Sequence, residues 1–378
     1  MSCFGNALFC NRSTGEIYGI IRKVILKLAE AEGMNVDFTK GIVCLKSNSS
    51  MCVPLNDWCK SLIASIPGRI SALALQNTEA RFKKLAYRQG KAMSCWAATG
   101  IILKQYQNAS ATRKTEDQFF RDKMRLITVT QKMLDAKKET NGVFSGFTSA
   151  EMEKVNSILN NRRDGETLDF ADSLKLYDVM TNHTAIASTA DLKKLRLYSF
   201  FFNNDPDQTG MKQGSEKYSF ADFLTAYFAV LYRCGASYWP VNKGVERWYS
   251  LAGELAAHWF HEVLGFQVRS YPTFESRNRL SAADIQRLLQ LGPFIINVSL
   301  DLYTVANAEA SSAQQSNISH YIIIYWIDSD SDDPYLYYLS TWPVTDESLP
   351  FEMNVLSFSE LKTLFNVVHT GFIASLPE

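Results

Sequence analysis

The sequence is poor in the side chains that usually build metal sites. It has five histidines among 378 residues, and none of them precedes His183. No two of its seven cysteines have CxxC spacing, although five of them precede residue 60. Structural zinc sites use cysteine and histidine at short, regular spacings. We therefore expect no metal and no cofactor. The cysteines favour reduced thiols, with a small disulfide cluster near the N-terminus as the alternative.

An excess of charge and a long apolar run are also absent. The 39 basic residues equal the 39 acidic residues, which argues against a nucleic-acid partner. No run of about 18 apolar residues is present, so we expect no membrane span. The first twelve residues lack the basic start and apolar centre of a cleaved signal peptide. The expected location is the cytoplasm, or a target cell reached by secretion without such a signal.

Helix and strand patterns are both present along the chain. Amphipathic spacing and caps predict helices over residues 14–32, 67–87, 95–107, 115–136, 149–159, 244–264, 281–291 and 359–365, and over stretches starting at Phe170 and Phe220. Short apolar runs between turn residues predict strands over 41–45, 51–55, 266–271, 294–300, 320–327, 335–341 and 367–374. The mixture indicates the α+β class.

Two stretches fifty residues apart share the pattern Phe-Ala-Asp-x-Leu-x-x-Tyr. They begin at Phe170 and Phe220, and Asp169 and Ser219 precede them as N-caps. They are either a duplicated helical unit or a chance similarity between two capped amphipathic helices.

Two further patterns partly match metal sites. Residues 205–216 approximate a calcium loop, but Pro206 and Lys212 depart from its pattern, which favours a plain helix–helix loop. His258 and His261 lie three residues apart in a predicted helix without a third ligand at suitable spacing, which favours structural histidines.

The most informative stretch surrounds Cys95. The cysteine begins a predicted helix, whose free amide groups stabilise a thiolate, and Gln89 lies six residues upstream. A glutamine amide can stabilise an oxyanion that forms beside the sulfur. A thiol nucleophile also needs a base, and His320 begins the long strand 320–327. In an antiparallel hairpin with 335–341, partner numbers sum to about 662, which places His320 beside Ser340, Thr341 and Trp342.

This arrangement resembles the papain-like cysteine peptidases. The matching residues are Gln89 with Ser94-Cys95-Trp96-Ala97, then Ser319-His320-Tyr321-Ile322-Ile323, then Leu339-Ser340-Thr341-Trp342. The resemblance is greatest to bacterial secreted effectors and bacteriocin-processing domains. It implies that Cys95 attacks the carbonyl, Gln89 helps to form the oxyanion hole, His320 transfers the proton and Ser340 orients the imidazole.

The resemblance covers about residues 86–107 and 275–374. It implies a papain-like catalytic domain over 86–107 and 241–378, with a helical half that carries the cysteine and an antiparallel sheet that carries the histidine. Residues 1–85 are then an N-terminal extension of mixed structure, and 108–240 a helical insertion. Ser340 departs from the family, which has Asn or Asp there. Either a Cys–His dyad suffices, or another acid such as Asp346 supplies the third contact.

The implied function is hydrolysis of peptide bonds by a bacterial effector or toxin. Its partners are then a protein or peptide substrate and a cognate inhibitor or immunity protein. One alternative is a glutamine deamidase or transglutaminase, because only the second nucleophile changes. The other is a non-catalytic binding protein on the same fold, which the uncharged Ser340 favours.

Overall fold

Helices and two antiparallel sheets form the part of the chain that the structure describes, so the fold belongs to the mixed α+β class. The structure is a computed structural model. It describes residues 25–90, 94–108, 111–136, 143–182, 186, 188–202, 218–234, 253–299, 319–328, 332–341, 353–368 and 370–377. In these ranges, no helix is both long enough and apolar enough to span a membrane.

The chain divides into two compact units, Met1–Asn77 and Thr78–Glu378. The first contains a three-stranded sheet in the order β1 (Met34–Asp37), β2 (Ile42–Leu45) and β3 (Asn48–Pro54). The two strands predicted over 41–45 and 51–55 are confirmed, whereas β1 was not predicted. Residues 25–31 are helical, and Ala29, Val43 and Trp58 form the core of this unit.

Cys44 and Cys52 form a disulfide bond across this sheet. They are directly opposite each other on β2 and β3, with their Cα atoms 4.0 Å apart. The preference for reduced thiols is therefore wrong for this pair, because strand pairing brings together two cysteines that are separated by a turn. Cys59 and Cys95 are free thiols.

A long helix, Leu55–Leu85, follows the small sheet. It begins twelve residues before the predicted start at Pro67. Proline is favoured in the first turn of a helix, which made residue 67 a natural starting point. In the structure the backbone is helical through that position.

The second unit contains a six-stranded antiparallel sheet in the order β4-β9-β5-β6-β7-β8. Its strands are β4 (Gln267–Tyr271), β5 (Phe294–Ser299), β6 (Ser319–Asp328), β7 (Tyr335–Ser340), β8 (Met353–Ser357) and β9 (Gly371–Ser375). The predicted strands at β4 to β7 are confirmed. β8 was not predicted, and β9 begins four residues after the predicted start of the last strand.

Alternate residues of β6 lie on opposite faces of this sheet. Ile322 and Ile324 belong to an apolar core that includes Ile285 of helix Ala282–Leu291 and Phe365 of helix Phe358–Asn366. Tyr321, on the other face, contacts the ring of Phe260. The helix Cys95–Gln107 contacts β5 and β6.

The predicted register of the β6–β7 hairpin is confirmed. Ile322 pairs with Ser340 and Ile324 pairs with Tyr338, so the partner numbers sum to 662. Beyond Tyr325 the register shifts by one residue, and Trp326 pairs with Tyr337.

The other helices of the second unit lie mostly between residues 116 and 263. They are Glu116–Lys123, Gln131–Ala136, Ser149–Leu159, Phe170–Thr181, Thr189–Leu192, Arg196–Phe202, Phe220–Cys234, Gly253–His258 with its π-helical continuation Trp259–Val263, and Phe274–Asn278. The single helix predicted over 115–136 is wrong. Ile127 and Val129 make backbone hydrogen bonds to Leu168 and Glu166, and those bonds replace a continuous helix there.

The capping predictions for the two similar helices are confirmed. The Asp172 amide donates to Asp169 Oδ1 over 2.8 Å, and the Asp222 amide donates to Ser219 Oγ over 3.1 Å. The calcium-like pattern at 205–216 lies outside the described residues, as do Asp346 and most of the predicted helical stretch 14–32.

Candidate active site

Cys95 is the first residue of the helix Cys95–Gln107, so the predicted helix start is confirmed. The helix is fixed in place by the π-helical segment that follows His258. Trp259 Nε1 donates to the Trp96 carbonyl oxygen over 3.0 Å. A Cβ atom on Gly100 would lie 2.6 Å from Leu264 Cδ1 and 2.8 Å from Trp259 Nε1. Glycine at position 100 therefore permits the close packing that holds Cys95.

The Cys95 side chain is 3% exposed. Burial raises the pKa of its thiol to about 11, although hydrogen bonds from the backbone amides of Tyr321, Trp96 and Cys95 itself act in the opposite direction. The helix terminus therefore does favour the thiolate, as the sequence predicted, but desolvation is the larger effect. In this conformation Cys95 is a neutral thiol at pH 7.

His320 lies at the beginning of β6, opposite Val298 of β5. Its ring nitrogen Nε2 is 2.9 Å from Ser340 Oγ. Ser340 is paired with Ile322, so His320 reaches it diagonally across the β6–β7 pair. The predicted closeness of His320 and Ser340 is confirmed, and their catalytic roles stay a prediction. Complete burial lowers the pKa of His320 to about 3, so the imidazole is neutral.

Gln89 is held by Thr341, the residue after Ser340. The backbone N–H of Gln89 donates to the Thr341 carbonyl oxygen over 3.0 Å. Thr341 Oγ1 donates to the side-chain oxygen of Gln89, Oε1, also over 3.0 Å. In this arrangement Oε1 is the end of the Gln89 side chain that faces Thr341, and Nε2 is the other, donor end. An oxyanion hole needs the donor end. Thr341 therefore positions Gln89, a role that strand spacing alone did not reveal.

Three contacts bring the predicted site residues together. His320 bonds to Ser340, Gln89 bonds to the next residue, Thr341, and the Cys95 sulfur accepts from the amide of Tyr321, next to His320. The side chains of Gln89, Cys95, His320 and Ser340 are between 0% and 8% exposed. All four are therefore shielded from solvent, so the candidate site is closed in this structure.

Glu116 is a fifth polar residue of this region. Its Oε1 atom accepts from the Gly90 amide over 3.1 Å and from Ser94 Oγ over 3.3 Å. Burial raises the pKa of this carboxyl, and the bonds from Gly90 and Ser94 act against that rise. Its role was not predicted, because an acid after Thr115, with Gln118 two residues later, has the pattern of a helix start. The Thr115 amide does donate to Gln118 Oε1, over 2.9 Å.

The other histidine predictions concern the helix that precedes the larger sheet. His258 Nε2 is 2.9 Å from Thr189 Oγ1, and His261 is exposed beside Glu262. His258 is thus half-buried and hydrogen-bonded, as expected for a structural histidine. No three His, Cys, Asp or Glu side chains in the described ranges are grouped so that they could hold a metal ion. No protein-family model, curated protein or solved structure matches this chain.

Proposed function

We propose that this protein is a papain-like cysteine peptidase that hydrolyses peptide bonds. The hydrogen bond between His320 Nε2 and Ser340 Oγ carries the proposal. In the family that the sequence resembles, the residue at the Ser340 position orients the imidazole through such a bond. The position of Cys95 at a helix N-terminus and the hydrogen bonds that anchor Gln89 to Thr341 support the same assignment.

The reaction follows from these positions. Because Nε2 of His320 is bonded to Ser340, Nδ1 is the ring nitrogen that takes the proton from the Cys95 thiol. The sulfur attacks the substrate carbonyl, and the Gln89 amide with the Cys95 backbone N–H stabilises the oxyanion. Collapse of this intermediate breaks the C–N bond, and His320 protonates the leaving amine. Water then hydrolyses the thioester, which releases the acid and restores the thiol.

The closed site is a resting form in this mechanism. With the thiol pKa raised to about 11 and the imidazole pKa lowered to about 3, proton transfer from Cys95 to His320 is strongly unfavourable. Hydration of the site on opening brings the two pKa values towards their ordinary range. Substrate binding therefore has to open the site and permit formation of the thiolate.

Incubation with a mixture of peptides, followed by mass spectrometry, tests the reaction. Hydrolysis produces shorter peptides, deamidation of glutamine raises the mass by about one unit without cutting the chain, and transglutamination joins two peptides. We expect cleavage by the wild type and none by Cys95→Ala or His320→Ala. Mass changes without cleavage identify a deamidase or transglutaminase. Equal behaviour of wild type and Cys95→Ala would refute the enzyme assignment.

The burial of Cys95 and the absence of charge at Ser340 favour a second candidate, a non-catalytic binding protein. Alkylation with a peptide-based thiol probe, which can open the site as a substrate would, separates the two. Cys59, a partly exposed free thiol, serves as an internal standard for labelling in the same molecule. Labelling of Cys95 that His320→Ala abolishes supports the peptidase. Labelling of Cys59 but not of Cys95 at every pH supports the binding protein.

The proposal extends to delivery into a target cell as an effector or toxin, with a cognate inhibitor or immunity protein in the producing cell. Expression inside a sensitive cell tests this part. We expect the wild type to arrest growth and Cys95→Ala to be harmless at the same expression level. Equal growth of the two strains would remove the toxin assignment and leave the peptidase assignment to the cleavage assay.

A further inference from the structure

A buried carboxyl lies beside the loop that joins Gln89 to Cys95. Glu116 is 1% exposed, and a single oxygen, Oε1, accepts hydrogen bonds from the first residue of the loop, Gly90, and from the last, Ser94. Hydrogen bonds to a buried carboxyl are stronger than exposed ones and costly to break. This pair of bonds spans the loop from end to end.

Both ends of the loop are also anchored outside it. Gln89 is held by two hydrogen bonds to Thr341, and Cys95 is held in a helix whose first turn is packed against Trp259. The two groups that would surround an oxyanion, the Gln89 side chain and the Cys95 amide, are therefore separated by five loop residues. Gly90 directly follows Gln89, and Ser94 directly precedes Cys95.

The space around the Gly90 end is closely filled. A Cβ atom on Gly90 would lie 2.9 Å from the Tyr232 hydroxyl and 3.9 Å from Glu116 Oε2. The titratable groups that interact with Glu116 are Tyr87 and Tyr232, together with the exposed Asp117 on its own helix. The pKa of Tyr87 is raised by burial and by Glu116, so this phenol stays protonated and can donate to the carboxyl.

We propose that Glu116 is a positioning residue that ties Gly90 to Ser94 so that their neighbours, Gln89 and the Cys95 amide, face the same oxyanion. The proposal rests on the proposed peptidase function. Glu116 does not touch the reacting atoms. It acts by accepting two hydrogen bonds at one oxygen, and an amide oxygen can accept the same two bonds.

The first test compares Glu116→Ala with Glu116→Gln in peptide cleavage. Glu116→Ala should lower kcat by about 10- to 100-fold and leave KM within about twofold, because a displaced oxyanion hole weakens transition-state binding more than substrate binding. Glu116→Gln keeps both acceptor contacts and should stay within about threefold of wild type. Asp117→Asn, a change at the neighbouring exposed carboxylate, is the matched control and should leave kcat unchanged.

The second test needs no activity, and it adds a perturbation that leaves Glu116 itself unchanged. Gly90→Ala introduces a methyl group against the Tyr232 hydroxyl, and Tyr232→Phe removes that hydroxyl. Hydrogen exchange of a peptide spanning Gln89–Cys95 should rise by about tenfold or more in Glu116→Ala and in Gly90→Ala. It should return towards the wild-type rate in Glu116→Gln and in the double variant. Exchange in helix Ser149–Leu159 should not change, which controls for general unfolding.

The outcomes separate the positioning role from the peptidase function. One outcome is that the wild type cleaves no peptide while the Gln89–Cys95 peptide exchanges faster in Glu116→Ala and not in Glu116→Gln. In that case the peptidase function fails and the positioning role of Glu116 stands. If the wild type cleaves peptides and Glu116→Ala does so equally well with unchanged loop exchange, the positioning role is refuted. A loss of kcat that Glu116→Gln shares equally, with unchanged loop exchange, also refutes it.

Discussion

At the scale of single residues, burial controls the ionisation of the candidate site. An imidazole removed from water binds a proton less readily, and a thiol removed from water gives one up less readily. His320 and Cys95 both show this effect, with pKa values of about 3 and about 11. Each shift links protonation to folding, because the unfolded chain exposes the same groups with ordinary pKa values.

The shift at His320 predicts how stability depends on pH. Between its ordinary pKa of about 6.5 and its folded pKa of about 3, the unfolded state binds a proton that the folded state does not. The free energy of unfolding should therefore fall as the pH drops through this window, by up to about 1.4 kcal/mol per pH unit. Urea unfolding at several pH values between 4 and 8 measures the slope.

The variant His320→Asn isolates this contribution. The pKa of His258 is also lowered by burial, so this second histidine acts in the same direction in both proteins. The difference between the two slopes of unfolding free energy against pH is therefore the contribution of His320. Equal slopes for wild type and variant would contradict the buried, neutral imidazole.

A second residue-scale prediction concerns Ser340. Ser340→Ala removes the hydroxyl that contacts His320 Nε2, so the imidazole loses its orientation. We expect kcat/KM to fall by about 10- to 100-fold and the free energy of unfolding to fall by about 1–3 kcal/mol. Ser340→Thr keeps a hydroxyl at the same place on β7 and should retain most of the activity. Equal activity of the Ala and Thr variants would show that the bond is not used in turnover.

At the scale of elements, the sequence predicted what depends on local patterns. The start at Cys95, the helix Ser149–Leu159 and the caps of the two similar helices follow from side chains within four positions of one another. The β6–β7 register follows from two apolar runs joined by a short polar turn. Local sequence patterns therefore predicted the part of the candidate site that lies on β6 and β7.

The elements that the sequence missed depend on partners far along the chain. β8 was not predicted because Met353–Ser357 is short and becomes a strand by pairing with β7. The break after Lys123 arises because Ile127 and Val129 bond to residues near 167. The role of Glu116 was missed for the same reason, since its hydrogen bonds to Gly90 and Ser94 join segments that are distant in the sequence.

The packing of the Cys95 helix leads to a prediction at Gly100. Alanine is favoured over glycine inside a helix by about 1 kcal/mol. Here its methyl group would approach Trp259 Nε1, which is already fixed by its bond to Trp96. We expect Gly100→Ala to lower the free energy of unfolding by about 1–3 kcal/mol. Chemical denaturation measures the change, and Gln107→Ala at the exposed end of the helix should be nearly neutral.

A Gly100→Ala protein as stable as wild type would mean that the helix can shift to accommodate the methyl group. The peptide-cleavage assay on the same variant then becomes informative, because a shifted helix carries Cys95 with it. If Gly100→Ala lost activity but kept the stability of the wild type, the role of Gly100 would be to align the Cys95 thiol.

At the scale of the whole molecule, the division into two units predicts separate responses to reduction. The Cys44–Cys52 disulfide lies entirely within the first unit, Met1–Asn77. Its loss should destabilise that unit by about 2–3 kcal/mol, because the unfolded chain gains conformational entropy when the crosslink is removed. Cys44→Ser/Cys52→Ser should accelerate hydrogen exchange in β1–β3 and leave the exchange of β5 and β6 unchanged.

Cys59→Ser is the control for this prediction, since it removes a sulfur from the same unit without breaking a crosslink. Its exchange pattern should match that of the wild type. If the double serine variant also accelerated exchange in β5 and β6, the two units would unfold as one cooperative body.

The strand order of the larger sheet has a consequence for the timing of protein synthesis. β9 is made after every other described strand, yet it lies between β4 and β5 and is the strand that joins them. A nascent chain that ends before residue 371 therefore has β4 detached from the β5–β8 sheet that carries His320. The strand β4 can therefore join the sheet that carries His320 only after β9 has been synthesised.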